Sequence, residues 1–186
     1  GTEQTVVEAL REKILTIGEN IKIRRFARME GDLVTYIHGG GRIGVMVKFE
    51  ASPEVAGKDE FVAMGKDVAM QIAAISPEFL SKESIPADRV EKEKEILKVQ
   101  AMNEGKPANI AEKMVMGRLN KFYKETCLLE QPFVKDGDIS VAKYIETTAK
   151  ALGGSIKAVD FVRFEKGEGL EKKSDNFADE VASMVK

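Results

Sequence analysis

Residues 34–49 read VTYIHGGGRIGVMVKF, and the predicted sheet is built around them. On each side of the three glycines, apolar residues alternate with other residues, which is the period of strands with one buried face. One face carries Val34, Tyr36 and His38 before the glycines and Ile43, Val45, Val47 and Phe49 after them. Because glycine tolerates positive φ, Gly39-Gly40-Gly41 predicts a turn. The stretch therefore predicts an antiparallel β-hairpin.

Two further segments are predicted to belong to the same sheet. Ile21–Met29 begins with period-2 alternation and slips phase between Ile23 and Phe26, which predicts a strand with a bulge. Gly31-Asp32 marks the turn after it, so three consecutive strands would form a meander. Ile156–Glu165 alternates again and is predicted to rejoin the sheet as another strand.

Helical periodicity surrounds these strands. Apolar residues at helical spacing predict a short helix over Val6–Leu15 and a longer one over about residues 58–75, closed by Ser76-Pro77. Val141–Leu152 predicts another helix, which ends at Gly153-Gly154. Ser174 is a candidate N-cap for a last helix near the C-terminus.

A change in composition marks a helical hairpin. From Ala87 to Glu104 charged residues dominate, and only a thin apolar stripe remains. Gly105-Lys106-Pro107 breaks the pattern, and a second stripe follows. Arms of roughly 19 residues are each about 28 Å long, and narrow stripes with charged flanks are typical of a protruding two-helix coil. The stripe residues are Val90, Leu97 and Ala101 in the first arm and Ala111, Met114, Val115, Leu119 and Phe122 in the second.

The predicted fold class is therefore α+β: a small antiparallel sheet packed with helices, a protruding antiparallel helical hairpin and a C-terminal helix. The 186 residues carry 29 basic and 31 acidic side chains, and a net charge of −2 gives no footprint for nucleic acid. No apolar run approaches the roughly 20 residues of a membrane span. The single cysteine, Cys127, fits a reducing compartment.

The sequence offers no constellation for covalent chemistry. The three glycines lead into a strand and lack the Lys-Ser/Thr pair of a phosphate loop. His38 is the only histidine, so with one cysteine no N/S metal site is available, and Cys127 is read as a small buried hydrophobe. Cys127 and His38 are the only residues that could form a Cys–His nucleophile pair, and nothing in the sequence indicates that they meet. We therefore expect a binding or scaffold protein, without enzyme activity, metal or cofactor.

Nine short motifs occur in order along nearly the whole chain and resemble the elongation factor Ts family. Together they make this similarity specific, whereas any one alone is weak. They are residues 17–25 (IGENIKIRR), 36–39 (YIHG), 42–45 (RIGV), 105–107 (GKP), 110–115 (IAEKMV), 117–118 (GR), 131–134 (QPFV), 163–165 (RFE) and 167–169 (GEG).

The resemblance implies a division of the chain. Residues 1–20 look like the end of the family's first core subdomain. Residues 21–80 and 127–166 look like the second core subdomain, which in the family docks on the β-barrel domain of the partner. Residues 81–126 look like the helical hairpin called the dimerisation domain. Residues 167–186 look like the C-terminal module, whose helix contacts the G domain of the partner.

The resemblance also implies a function: binding to elongation factor Tu and promotion of GDP release. By family pattern, Ile17 and Gly18 fall on a contact with the G domain, His38 on a hairpin tip that touches the partner, and Val134 and Lys135 on another contact region. In the alternative reading these residues are only structural. Gly18 would be a turn residue, Val134 a core residue, and His38 a strand-end residue satisfied by backbone or solvent.

One departure from the family concerns exchange activity. The family's N-terminal helical domain and its Thr-Asp-Phe-Val loop, which disturbs the magnesium and nucleotide site of the partner, are missing from these 186 residues. We therefore expect this polypeptide, read as a fragment, to bind but to exchange poorly. A partner-independent oligomerisation module built on the hairpin remains the alternative, since the stripes fit pairing within one chain or in a homodimer. The bacterial cytoplasm is the expected compartment, with a plastid or mitochondrial matrix as alternatives.

Overall fold

The computed structural model describes residues 3–105 and 107–170. In this part of the chain, strands and helices mix as expected for the α+β class, which confirms the predicted fold class. The first half contains α1 (Val6–Ile17), β1 (Asp32–His38), β2 (Ile43–Ala51), α2 (Pro53–Ala56) and α3 (Asp59–Ile75). The second half contains α4 (Ala87–Asn103), α5 (Ala108–Thr126), β3 (Pro132–Phe133), β4 (Asp136–Ser140), α6 (Val141–Leu152) and β5 (Ile156–Glu165).

The predicted hairpin is β1–β2, and its register matches the sequence pattern. Val34 lies opposite Val47 and His38 lies opposite Ile43, so the alternating apolar residues share one face. Each of the three turn glycines has a positive φ, 58°, 63° and 95° in order. The Arg42 N–H closes the turn by donating to the His38 carbonyl oxygen at 3.0 Å. The strand predicted at 156–165 is β5, which pairs antiparallel with β2 and completes the sheet order β1-β2-β5.

The strand predicted at residues 21–29 is wrong, because none of these residues belongs to a strand or helix. Side-chain contacts hold this connection instead: the Arg25 guanidinium lies 4.5 Å from the centre of the Phe164 ring and also pairs with Glu168. Phe26 remains 84% exposed and Ile23 54% exposed. The phase slip between them therefore marks a chain that crosses the sheet without pairing with it, and the predicted three-strand meander reduces to the β1–β2 hairpin.

The core lies between the inner face of the sheet and α3. Four residues at helical spacing on α3 are buried against the strands: Phe61, Met64, Val68 and Ile72. Phe61 packs edge-on against Phe49 of β2, with ring centres 5.5 Å apart. The helix predicted at about 58–75 is thus confirmed within one residue at each end, and α6 confirms the helix predicted at 141–152.

The predicted helical hairpin is α4–α5, and it has an apolar cluster separate from the sheet core. Ile85, Leu97, Leu119, Phe122 and Cys127 form this second cluster. Cys127 is fully buried, as predicted, and burial raises the pKa of its thiol. Near the turn of the hairpin, Arg118 of α5 pairs with Glu104 at 2.6 Å.

The predicted helix after Ser174 lies outside the described residues. Among the residues that are described, we find no helix with the length and hydrophobicity to cross a membrane.

Candidate partner-binding site

Ile17 and Gly18 lie at the end of α1. A capping box starts this helix at Thr5, and Gly18 ends it in the left-handed region at φ 79°, donating its N–H to the Ile14 carbonyl oxygen at 2.8 Å. None of the α1 residues is buried, and Ile17 is 56% exposed. Gly18 therefore has the structural role of a helix terminator, while the Ile17 side chain beside it is open to solvent.

His38 is exposed at the end of β1, immediately before the three-glycine turn. Its Nδ1 atom lies 3.0 Å from the hydroxyl of Tyr36, which packs partly against the core. The turn is fastened to β5, because the Lys166 N–H donates to the Arg42 carbonyl oxygen at 2.8 Å and Arg42 lies 3.6 Å from Glu165. The imidazole is thus exposed at a hairpin tip that is held against the end of β5.

Val134 and Lys135 form the two-residue turn between β3 and β4. Val134 is 44% exposed, so the reading of Val134 as a core residue is wrong. Its N–H donates to Oε1 of Gln71 on α3 at 2.8 Å. The Lys135 ammonium lies 2.6 Å from the Asp67 carboxylate, one turn earlier on the same helix. Helix α3 therefore binds both residues of the turn, Val134 through Gln71 and Lys135 through Asp67.

A pair of buried amides supports this turn. Gln71 and Gln131 are 0% and 1% exposed, and Nε2 of Gln71 donates to Oε1 of Gln131 at 3.1 Å and to the Pro132 carbonyl oxygen at 3.2 Å. Gln131 in turn donates to the carbonyl oxygen of Glu125 in α5, at 3.1 Å. Sequence reasoning missed Gln71 as a residue that supports this turn. The available signal was a long amide on the otherwise apolar face of α3.

An aromatic pair flanks the same turn. The rings of Phe133 and Tyr144 stack with centres 4.1 Å apart and planes 14° from parallel. The Tyr144 hydroxyl donates to the second carboxylate oxygen of Asp67 at 2.9 Å. Burial and this hydrogen bond to a carboxylate raise the pKa of Tyr144 from 10.0 to about 12. Asp67 thus holds Lys135 with one oxygen and Tyr144 with the other.

This shift predicts a late tyrosine titration. The protein contains three tyrosines, and we expect Tyr144 to ionise last when absorbance at 295 nm is followed upward from pH 9. Between pH 10.0 and about 12 the unfolded chain loses the Tyr144 proton while the folded chain keeps it, so stability falls as pH rises through that window. Tyr144→Phe should remove the titration step at about pH 12. If that step survives the substitution, it belongs to another residue.

His38 and the 134–135 turn extend toward the same end of the sheet. Phe61 near the start of α3 packs on Phe49, which lies opposite Asp32 at the start of β1, so α3 and β1 run in the same sense. Gly65 of α3 then packs directly against Val34 of β1.

Both elements continue in the same direction from that contact. Gln71 lies about 9 Å further along α3, and His38 about 13 Å further along β1. A face shared by all five predicted residues stays a prediction.

The described residues contain no group of three His, Cys, Asp or Glu side chains that could hold a metal ion. A groove of about 790 Å³ runs along α4 and α5, between charged side chains such as Glu91 and Lys98 and apolar ones such as Met102 and Met116. The surface features of the described residues thus include exposed turns on the α+β body and a groove on the helical hairpin.

Such a fold belongs to the class of α+β proteins that carry a helical hairpin beside a small sheet. The family model described as "Elongation factor TS" matches residues 1–168, and the chain belongs to this family. It is 52% identical over 187 aligned positions to elongation factor Ts of Clostridium botulinum (strain Eklund 17B / Type B), covering 99% of this chain and 61% of that relative. It is 51% identical over 185 positions to elongation factor Ts of Clostridium kluyveri, covering 98% and 60% respectively. The chain thus spans about three fifths of the length of these relatives, and the family resemblance seen in the sequence is confirmed.

Proposed function

We propose that the chain acts in translation as an elongation factor Ts, binding elongation factor Tu and promoting release of GDP. The observation that carries this proposal is the family match over residues 1–168. It is joined by sequence identities of 52% and 51% to two bacterial proteins named elongation factor Ts. The same relatives support the cytoplasm of a bacterium as the compartment. The proposal needs no cofactor and no covalent step.

Exchange of this kind follows from linkage. A protein that binds the nucleotide-free state of a GTPase more tightly than the GDP-bound state must weaken GDP binding by the same factor. Only contacts that differ between the two states contribute to that factor. A rigid surface serves this purpose well, because a flexible one would adapt to both states and distinguish them less.

The proposed contact residues are Ile17, Gly18, His38, Val134 and Lys135. Three local observations support them: an exposed apolar side chain at a helix end, an exposed imidazole at a braced hairpin tip, and a turn held by α3. In this proposal residues 21–80 and 127–166 form the docking body and residues 81–126 a separate hairpin.

The first test is binding. When the purified 186-residue chain is titrated into nucleotide-free elongation factor Tu at tens of micromolar, calorimetry should give a saturable heat and the two proteins should co-elute. His38→Ala and Val134→Asp should each weaken binding by about tenfold, since losing one well-packed contact costs on the order of 1–2 kcal/mol. Exposed Lys92→Ala on α4 serves as the control. No heat and no co-elution would refute the proposed partner.

The second test separates binding from exchange. The 186-residue sequence contains no Thr-Asp-Phe-Val segment, the motif that the resemblance associates with disturbance of the nucleotide site. We expect the chain to accelerate release of a fluorescent GDP analogue far less than an elongation factor Ts of a full-length relative does. Equal acceleration by both proteins would contradict a division of labour between binding and exchange.

A second candidate function is an oligomerisation module built on the hairpin. Large apolar side chains on α4 and α5 are open to solvent, and they favour this alternative: Ile96, Val99, Met102 and Met116. Sedimentation of the isolated chain discriminates between the two functions. A dimer that forms without elongation factor Tu and never binds it would favour the module over the exchange factor.

A further inference from the structure

The turn at Val134-Lys135 lacks the residues that normally make such a turn stable. Phe133 pairs with Asp136, so only two residues connect β3 to β4. Two-residue hairpin turns favour types I′ and II′, which need positive φ and therefore glycine or asparagine. Val134 and Lys135 both have negative φ, because Ser76 is the one non-glycine residue with positive φ in the described chain. A turn without positive φ splays its two strands, so this turn needs support from outside.

Gln71 supplies that support from α3. Its amide brackets Phe133: Nε2 donates to the Pro132 carbonyl oxygen at 3.2 Å, and Oε1 accepts from the Val134 N–H at 2.8 Å. The carbonyl can only accept and the N–H can only donate, so the amide has one orientation here. No apolar side chain of the same size can satisfy both backbone groups.

Gln131 extends the bracket to the helical hairpin. It accepts from Gln71 at 3.1 Å and donates to the Glu125 carbonyl oxygen near the end of α5 at 3.1 Å. Both glutamines are buried, and a buried amide is tolerated only when it is hydrogen-bonded. The chain of bonds from α3 through Gln131 to α5 therefore fixes the turn relative to two helices at once.

We propose that Gln71 is a positioning residue for partner binding: its buried amide, together with Gln131, holds Val134 and Lys135 in the conformation that contacts the partner. This inference rests on the proposed function, because it takes these two residues as a contact region. It adds residues that touch no partner atom and act only through the turn.

The test compares Gln71→Met with a matched core variant. Methionine keeps nearly the same volume and removes every hydrogen bond, so we expect the affinity for elongation factor Tu to fall at least tenfold in calorimetry. In the free protein, the Val134 amide should lose its protection from hydrogen exchange while the Val45 and Val47 amides of β2 keep theirs. Val55→Ala, a cavity variant at the buried Val55 of α2, controls for stability: at a similar loss of Tm it should leave affinity and Val134 protection unchanged.

A second variant tests the hydrogen-bond logic. Gln71→Glu keeps an acceptor for the Val134 N–H. When ionised, its second carboxylate oxygen would face Oε1 of Gln131 and the Pro132 carbonyl oxygen, and neither of these can donate a hydrogen bond to it. Protonation restores a donor, so the affinity of this variant relative to wild type should rise as pH falls from 8 to 6, since burial raises a carboxyl pKa. A purely structural role predicts that Gln71→Met and Val55→Ala lose equal affinity. It also predicts that the affinity of Gln71→Glu relative to wild type does not change between pH 8 and 6.

The outcomes separate the two proposals. If wild type binds and Gln71→Met binds equally well, the positioning role is overturned and the proposed function stands. If wild type itself fails to bind, both are overturned.

Discussion

Gly65→Ala is expected to destabilise the protein by about 2 kcal/mol or more, although alanine is the better helix former. A Cβ atom added at Gly65 would lie 2.5 Å from Cγ2 and 2.9 Å from Cβ of Val34 on β1. Overpacking of this kind costs typically 1–3 kcal/mol and occasionally more, against a gain of about 1 kcal/mol in helix propensity. Since the obstacle includes a Cβ atom attached to a paired strand, α3 must move away from the sheet, and the upper part of that range applies.

Urea unfolding monitored by circular dichroism measures this loss, and a second glycine provides the control. Gly117 also lies inside a helix, α5, and a Cβ there would meet nothing within 4 Å. Gly117→Ala should therefore stabilise the protein by about 0.5–1 kcal/mol. Identical effects at both positions would mean that α3 does not approach β1 as closely as described.

A double-mutant cycle identifies the cause. Val34→Ala removes the two methyl groups nearest to the new Cβ, so Gly65→Ala should cost at least 1 kcal/mol less in that background. Strict additivity would place the strain elsewhere. The cycle also bears on function. The Gly65–Val34 contact sets how α3, which holds the 134–135 turn, lies against β1, which ends at His38.

The sequence predicted those parts of the fold that have a sustained period. β1, β2 and β5 alternate over seven residues or more, and α3 and α6 present broad apolar faces, so burial leaves a legible pattern. Residues 21–29 misled the prediction because alternation near Ile23 also fits an extended chain that crosses a sheet. What holds that chain is an arginine on a phenylalanine ring, which has no periodic signature. The pairing of β3 with β4 was not predicted, because a two-residue strand is too short to show a period.

The candidate site was predicted from family resemblance rather than from physical pattern. Exposed residues such as Ile17 and Val134, which we propose as contacts, carry no burial period, so spacing alone cannot single them out. The residues that support the turn can be recognised only in the folded structure, because Gln71 and Gln131 lie 60 positions apart in the sequence. Both are buried because α3 packs on the 131–135 segment. Local sequence therefore determines the scaffold, and long-range packing determines how the turn is held.

Phe49→Ala is expected to cost far more stability than Phe26→Ala. Phe49 is 1% exposed and packs on Phe61, so truncation removes a ring from the centre of the core and should cost about 3–5 kcal/mol. For a domain of this size such a loss lowers Tm by about 6–20 °C. Phe26 is 84% exposed, and its truncation should change stability by no more than about 0.5 kcal/mol.

The same pair tests the corrected topology. In a paired strand over residues 21–29, the Phe26 side chain would pack against a neighbouring strand or helix, and Phe26→Ala would approach the cost of Phe49→Ala. In the observed fold the connection crosses the sheet unpaired, so the two substitutions must separate widely in a scanning calorimeter. Phe49→Leu, which keeps most of the buried volume, should fall between them at about 1.5 kcal/mol. Equal Tm losses for Phe26→Ala and Phe49→Ala would restore the strand that the alternation of the sequence predicted.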